Sequence, residues 1–571
     1  MQPAGLHPRP PITGAEHGRS GPGRVAPGRG AQGRFPGRHR SRRRPLARHP
    51  RPQRPRPADG RGACRAHRSV RRAARRAGLR GRTVVLRGRP ARDDGAVPVT
   101  DLAALSLAEA AAAVRTGAAT ALALLEACRA NRDRANPKLN ATIWHDDAGA
   151  EAAARAADAA VAAKAPLGKL HGVPLAHKDM YYQAGRPCTC GSLIRKDFVP
   201  AVTATAIERL HAAGATVWGG LNMAEFAQNP TGHNRHYGDC HNPWSLAYIP
   251  GGSSSGSGAS VAARFNYAAL GSDTGGSIRL PASACGVTGI KPTQTRVSRY
   301  GAMPLSFSHD NVGPLARTAR DCALLLGVIA GHDPKDPTSA DLPVPDYEAA
   351  LTGDLRGVRI GLAETYFLDG ADPPVVAAAE QALRVLAGRG AIVSRIRLPL
   401  MDAVAAYGGV VSRVEASAIH AQWLRERPGD YATHLSGRLY PGLAIPATYY
   451  IESLSRRGPV LRAFAREVFA NVDLIASPTI RTMLPSLAET DIDHGPPGTE
   501  TRFMAVSANT RPFNYLGLPA ISIPCGFDPD GLPIGLQLAA RPFAEARLLA
   551  AADAYQRDTD WHTRLPPVLA P

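Results

Sequence analysis

The sequence predicts an α/β protein in which helices cover a central sheet. From Leu170 onward, short β-like runs alternate with helical segments and turns. Residues 355–364 and 374–388 repeat the same order, a strand followed by a helix. Strands that alternate with helical patterns are typical of a sheet with helices packed on it. At 571 residues the chain is long enough for a large hydrophobic core.

The first hundred residues differ from the rest in composition. They contain 26 arginines, no lysine and four acidic residues, so they carry the whole net charge of +22. With one Phe, one Ile and no Trp or Tyr, this segment cannot bury enough apolar surface to offset the entropy of ordering. We therefore predict a disordered basic tail over residues 1–97 and one folded domain over 98–565.

Three interpretations of the tail remain open. A nucleic-acid arm would carry aromatic residues that stack on bases, and a transit peptide would be richer in serine. A solvated extension fits the composition better than either. The remaining residues have no net charge, so nothing in the folded part indicates a nucleic acid as partner.

Helix start and stop signals define the predicted elements in the first part of the folded domain. Ser106 and Glu109 form a capping-box pattern ahead of an Ala-rich helix that Gly117 ends. Apolar periodicity and flanking glycines add helices over 120–134, 147–164 and 204–213 and a strand over 216–219. A helical, loop-rich region at about 400–500 separates these from a last αβ block that begins near Phe513.

A Gly-rich stretch over residues 251–293 holds two serines, Ser253 and Ser277, in separate loops. Glycine permits a close approach of backbone, and serines in such loops indicate acyl chemistry, with N–H groups that receive negative charge. A phosphate loop would need a lysine after the glycines, and a dinucleotide fingerprint would need a third glycine at Val261. Gly252–Gly256 matches the G-x-S-x-G elbow of α/β-hydrolases, but no strand signal precedes it.

A candidate base lies upstream, at Lys178. The chain has only seven lysines, and this one follows an apolar run, Gly-Val-Pro-Leu-Ala, that we expect to be buried. Burial disfavours the ammonium form, so a buried lysine has a lowered pKa and can accept a proton near neutral pH.

Five segments together resemble the amidase signature family. They are G-x-P-x-x-x-K-D at 172–179, PGGSSSGS at 250–257, GSDTGGSIRLP at 271–281, G-x-x-G-x-KPT at 286–293, and FNYLGLPA with a later GLP-x-G-x-Q at 513–537. The similarity extends over roughly residues 100–560. It implies a mixed central sheet with helices on both faces, a signature core at about 170–320 and a variable substrate region at about 320–510.

The resemblance also implies a Ser–cis-Ser–Lys triad. Ser277 matches the nucleophile, Ser253 the bridging serine after a cis peptide bond, and Lys178 the base. Backbone N–H groups of Thr274, Gly275 and Gly276 match the oxyanion hole. The family's chemistry requires neither a metal nor an organic cofactor, and we expect Asp273 and Arg279 to hold the loop of the nucleophile.

The substrate is left open by these motifs. We expect an amidase that hydrolyses a small carboxylic amide through an acyl-enzyme on Ser277. The alternative is the A subunit of a glutamyl-tRNA(Gln) or aspartyl-tRNA(Asn) amidotransferase, which releases ammonia from glutamine. A catalytically idle binding scaffold is disfavoured because all three triad positions are intact.

Further expectations concern location, assembly and the remaining motifs. Without an apolar run of about 18 residues, and with eight dispersed cysteines, we expect a cytoplasmic enzyme with no membrane span. A homodimer is one assembly open to it. His233-x-x-His236…Cys240-His241 fits no zinc spacing, so we expect a loop at the site entrance.

Removal of residues 1–96 tests the assignment of the tail. Because this segment cannot contribute a packed core, we expect unchanged amide hydrolysis and an unchanged melting temperature in the truncated protein. Activity assays and thermal unfolding of the full and shortened chains make the comparison, and a clear loss of either property would contradict the assignment.

Overall fold

The computed structural model describes residues 101–569. These residues contain an eleven-stranded mixed sheet with helices packed on it, which confirms the predicted fold class. The tail predicted over residues 1–97 lies outside the described residues. None of the helices from residue 101 to residue 569 is long and apolar enough to cross a membrane.

The strands are short and spread over most of the described chain. They are β1 (Thr142–His145), β2 (Pro174–Lys178), β3 (Thr216–Leu221), β4 (Ala268–Ser272), β5 (Thr288–Lys291), β6 (Val312–Ala316), β7 (Arg359–Ala363), β8 (Ile392–Ile396), β9 (Leu474–Pro478), β10 (Ala520–Phe527) and β11 (Pro533–Ala540).

The α-helices range from one turn to seven. They are α1 (Leu107–Thr116), α2 (Ala121–Leu139), α3 (Asp147–Ala162), α4 (Thr205–Ala212), α5 (Ser255–Ala262), α6 (Arg279–Cys285), α7 (Ala319–Ile329), α8 (Pro373–Gly388), α9 (Met401–Glu426), α10 (Thr433–Leu443), α11 (Ala447–Val468), α12 (Leu487–Thr490), α13 (Thr499–Ala505), α14 (Arg511–Tyr515) and α15 (Glu545–Arg557).

Parallel and antiparallel pairs alternate along the sheet in blocks. The order is β1-β3-β2-β4-β6-β5-β10-β11-β9-β7-β8. The neighbours β3, β2 and β4 are parallel, as are β9, β7 and β8. All other neighbouring strands pair antiparallel. The last two strands of the chain therefore lie in the middle of the sheet.

Alternate residues of the strands pack into cores on opposite faces of the sheet. In β4, Ala268 and Leu270 pack with residues of α4, α7, α8 and α15, whereas Ala269 packs with residues of α5 and α6. In β11, Leu538 belongs to the first of these clusters and Ala539 to a third one, formed with α9 and α11. Helices thus cover both faces, as the family resemblance implies.

Most of the elements predicted from local signals are present. Ser106 and Glu109 make both hydrogen bonds of a capping box, and Gly117 ends α1 at φ +74°. The helix predicted over 120–134 continues to Leu139, because Pro137 is accommodated in its last turns. The strand predicted over 355–364 is restricted to β7, since Gly357 at φ +77° turns the chain just before it.

Two strand ends position the site. Because β2 and β4 are parallel neighbours, their carboxyl ends lie at the same edge of the sheet. β2 ends at Lys178 and β4 ends at Ser272, directly before the loop that carries Ser277. The two segments with the strongest sequence signals are therefore brought together by strand direction.

Candidate active site

Lys178 is fully buried and hydrogen-bonded to two serines. Its Nζ donates to Ser253 Oγ at 2.6 Å and to Ser272 Oγ at 3.0 Å. Burial lowers the pKa of Lys178 to about 7, although the nearby charges of Asp273 and Asp310 act in the opposite direction. A large fraction of this lysine is therefore neutral near pH 7 and able to accept a proton.

The structure distinguishes between the three consecutive serines of the first loop. Ser253 contacts the lysine, whereas Ser254 Oγ donates to the carbonyl of Ser272 at 3.3 Å and Ser255 Oγ donates to the carbonyl of Asn222 at 3.4 Å. The peptide bond between Gly252 and Ser253 is cis, as the resemblance implies. Ser253 alone of the three is placed to exchange a proton with Lys178.

Ser277 lies on the wall of a cavity of about 260 Å³. Its side chain is the most exposed of the three predicted triad members, with a residue exposure of 8%. Its hydroxyl makes no hydrogen bond to any residue between 101 and 569. The structure therefore brings Lys178 and Ser253 into contact and leaves Ser277 facing the cavity. Catalytic hydrogen bonds are often long before substrate binds and tighten in the complex.

The backbone around Ser277 presents N–H groups to the cavity. In the described part of the chain, the N–H groups of Thr274, Gly275 and Ser277 have no hydrogen-bond partner. The N–H of Gly276 donates instead to Asp273 Oδ1 at 2.8 Å. Of the three residues expected to form the oxyanion hole, Gly276 is thus already engaged, whereas Thr274 and Gly275 line the cavity with free N–H groups.

Gly276 is required for a steric reason. Its φ of +130° is a conformation that residues with a side chain rarely adopt. A Cβ at this position would lie 2.2 Å from Thr510 Oγ1, which itself donates to the carbonyl of Gly275 at 2.6 Å. The loop that carries the nucleophile candidate is therefore packed directly against the residue before α14.

A buried ion pair holds this loop. Arg279 Nε and Nη2 donate to the two carboxylate oxygens of Asp273, each at 2.9 Å, and both side chains are inaccessible to solvent. Arg279 also donates to the side chains of Gln537 and Asn514. Burial would raise the pKa of Asp273, but the charge and hydrogen bonds of Arg279 and the charge of Lys291 lower it to about 2. The geometry agrees with the loop-holding role expected for both residues.

Three polar residues of this network are not identified by sequence reasoning alone. Ser272 contacts Lys178 because of the register between β2 and β4, which no local motif encodes. Asn514 and Gln537 belong to the late matching segment, and both reach Arg279 from more than 200 residues away in sequence. The matched motif marks Asn514 and Gln537 as part of the family pattern, but it does not indicate that they contact Arg279.

The histidine-rich segment forms a polar loop. His233 Nδ1 lies 2.9 Å from Asp239 Oδ2, His236 Nε2 lies 3.1 Å from Glu225 Oε1, and His241 Nδ1 lies 2.7 Å from the carbonyl of Leu246. Within residues 101–569, no group of three or more His, Cys, Asp or Glu side chains is arranged to hold a metal ion.

Comparison with known proteins gives a family match over most of the chain. The family model described as "Amidase" matches residues 123–549. The A subunit of a glutamyl-tRNA(Gln) amidotransferase from Chloroflexus aggregans is 41% identical over 490 residues, which cover 82% of this chain and 99% of that protein.

Two solved structures resemble this chain in fold over most of its length. A structure described as a vestigial protein complex that reveals the origins of an s-triazine catabolic enzyme is 32% identical with a TM-score of 0.74, and covers 79% of this chain and 98% of its own. The A subunit of the glutamyl-tRNA(Gln) amidotransferase from Thermotoga maritima is 29% identical with a TM-score of 0.70, and covers 82% and 99%.

The Asp273–Arg279 pair yields a prediction for stability. Replacement Asp273→Asn leaves the guanidinium of Arg279 buried without its counter-charge, so we expect a loss of about 3–5 kcal/mol in the free energy of unfolding. Asp560→Asn is the matched control, since its partner Arg564 is partly exposed, and we expect less than about 1 kcal/mol there. Equal effects in denaturant unfolding would contradict the assigned role of the buried pair.

The lowered pKa of Lys178 yields a prediction for activity. Because we expect the neutral amine to act as the base, kcat/KM for an amide is expected to rise with pH through about 7 and to level off above it. The measurement is a pH–rate profile of the wild-type protein, with Lys178→Met as an inactive control. A profile without inflection near neutral pH would argue against this lysine as the base.

Proposed function

The chain belongs to the amidase family, and on that premise we propose that it cleaves the C–N bond of a carboxylic amide through an acyl-enzyme on Ser277. The observation that carries the proposal is the hydrogen bond between Lys178 Nζ and Ser253 Oγ. A buried amine with a pKa of about 7 next to a serine hydroxyl is the arrangement that a base needs in order to activate a nucleophile through a relay.

The first half of the reaction uses all three residues. The Ser277 oxygen attacks the carbonyl carbon of the amide and gives its proton to Ser253, whose own proton passes to Lys178. The negative charge that develops on the carbonyl oxygen is received by the free N–H groups of Gly275 and Ser277, with Thr274 beside them. Loss of one such donor typically costs about 2.7–4 kcal/mol of barrier.

The second half returns the protons. As the tetrahedral intermediate collapses, the C–N bond breaks and the amine leaves with the proton that Lys178 returns through Ser253. Water then attacks the ester on Ser277 with the same relay as base, which releases the carboxylic acid and restores the serine. In this scheme the side chains of Lys178, Ser253 and Ser277 carry the protons, and backbone N–H groups stabilise the negative charge.

The names of similar proteins favour a second candidate function, that of an amidotransferase A subunit. Several amidotransferase A subunits are 39–42% identical to this chain, so the comparisons support the amidotransferase alternative more directly than a stand-alone amidase. In that role the same site would release ammonia from glutamine within a larger enzyme. That role is compatible with the cytoplasmic location expected from the sequence.

Ammonia release by the purified full chain tests the shared chemistry. We expect wild-type protein to release ammonia from an amide and Ser277→Ala to lose at least about 1,000-fold in kcat. Ser255→Ala is the matched control, because this hydroxyl bonds to Asn222 and not to the lysine, and we expect most of its activity to remain. Normal turnover by Ser277→Ala would overturn the nucleophile assignment.

The same assay separates the two candidates. Turnover of simple amides by the chain alone supports a stand-alone amidase. Release of ammonia from glutamine that requires added partner proteins supports the amidotransferase and contradicts independent action.

A further inference from the structure

Three arginines face the cavity in which Ser277 lies. Arg413 comes from α9, Arg438 from α10, and Arg511 is the first residue of α14. Three separate helices therefore contribute guanidinium groups to the same volume of about 260 Å³. Arg413 and Arg438 lie in the predicted variable substrate region, and Arg511 directly precedes the late matching segment that begins at Phe513.

None of these guanidinium groups has an anionic partner in the described chain. Across residues 101–569, Arg413, Arg438 and Arg511 make no ion pair. The contacts that the latter two do make are weak: Arg438 lies 5.2 Å from the ring centre of Phe503, and Arg511 Nη2 lies 3.8 Å from Met504 Sδ. By contrast, Arg279, two residues after Ser277 in the sequence, is fully paired with Asp273.

The rest of the cavity wall does not compensate this charge. No Asp or Glu side chain is among the described residues that line it. His309 also lines the cavity, and burial, together with the charges of Arg457 and Lys291, lowers its pKa to about 3, so it is neutral. The remaining polar side chains are uncharged, and the wall is therefore cationic.

The proximity of the three charges has an energetic cost. Burial, followed by the charges of Arg511 and Arg413, lowers the pKa of Arg438 to about 10, and the charge of Glu500 offsets only part of this effect. Like charges in a region of low dielectric repel, and an anion placed among them removes this penalty and gains charge-assisted hydrogen bonds. The planar fork of arginine fits a carboxylate particularly well.

We propose that Arg413, Arg438 and Arg511 bind a carboxylate on the acyl part of the substrate, so that the enzyme acts on monoamides of dicarboxylic acids. The inference rests on the proposed amidase function and specifies its substrate class. Glutamine carries an α-ammonium group besides its carboxylate, and the wall offers that cation no acidic partner. The charge of the cavity thus selects amides with a net negative charge over zwitterionic and neutral ones.

The first experiment compares substrates of matched length. Succinamate and glutaramate are assayed against butanamide and pentanamide, in which a methyl group replaces the carboxylate, and against L-glutamine, which adds only an ammonium group to glutaramate. We expect kcat/KM for the better monoamide to exceed that of its neutral analogue by about 10- to 100-fold, the range for charge-assisted hydrogen bonds. We expect glutamine to be a poorer substrate than glutaramate.

The second experiment removes the charges one at a time. Arg413→Gln and Arg438→Gln are expected to reduce the preference for the charged over the neutral amide by about tenfold or more, mainly through KM. Arg425→Gln is the matched control, because this arginine is an exposed residue near the end of the same helix α9, and we expect its preference to be unchanged. Arg413 is itself exposed, so its replacement leaves the packed core untouched.

The outcomes distinguish this inference from the proposed function. If Ser277→Ala abolishes hydrolysis but charged and neutral amides react equally well, the amidase function stands and the carboxylate site is wrong. If wild-type protein hydrolyses none of the amides, the carboxylate site is tested by itself. Calorimetry then measures the binding of glutarate to the Ser277→Ala protein. Saturable binding that Arg438→Gln weakens at least tenfold supports the site, and the absence of saturable binding overturns it.

Discussion

The site depends on one buried ion pair, formed by Asp273 and Arg279. The carboxylate accepts hydrogen bonds from the guanidinium and from the N–H groups of Gly276 and Ile278. It thereby fixes the turn between β4 and α6, on which Ser277 lies. Arg279 extends the same network to α14 and β11 through Asn514 and Gln537. A charge pair without access to water keeps its geometry only while both partners and their hydrogen bonds are in place.

Two fully buried charged groups of the candidate site, Asp273 and Lys178, differ in whether they keep their charge near pH 7. Asp273 has a direct cationic partner, so it remains ionised and its pKa falls to about 2. Among residues 101–569, Lys178 has only serine hydroxyls as hydrogen-bond partners, so desolvation dominates and its pKa falls to about 7. Asp273 thereby keeps a permanent charge that supports structure, whereas Lys178 becomes an amine that can be neutral near pH 7 and is able to accept a proton. The difference between them is the identity of the neighbouring side chain and not the depth of burial.

Much of this arrangement can be predicted from the sequence. The capping box at Ser106 and the Gly117 stop are local signals and define α1 correctly. The matched motifs predict a triad of Lys178, Ser253 and Ser277, of which Lys178 and Ser253 are in hydrogen-bond contact. Contacts that depend on strand register or on residues far apart in the sequence cannot be predicted from local sequence signals. Ser272 meets Lys178 only because β2 and β4 lie side by side in parallel. The engagement of Gly276 by Asp273 removes an N–H group that the motif alone suggests is free. The three arginines on α9, α10 and α14 converge from segments about 25 and 75 residues apart, where neither spacing nor motif links them.

The central position of β10 and β11 has a consequence for biosynthesis. Within residues 101–569, these strands are the only link in the sheet between the block β1–β6 and the block β7–β9, yet they follow all the other strands of that sheet along the chain. Until they emerge from the ribosome, β5 and β9 are unpaired edges, which are surfaces prone to association with other chains. Gln537, which anchors Arg279, lies in the same late segment. The nascent chain therefore joins the two blocks of its sheet in one step, when β10 and β11 have been synthesised, and it depends until then on protection of those edges.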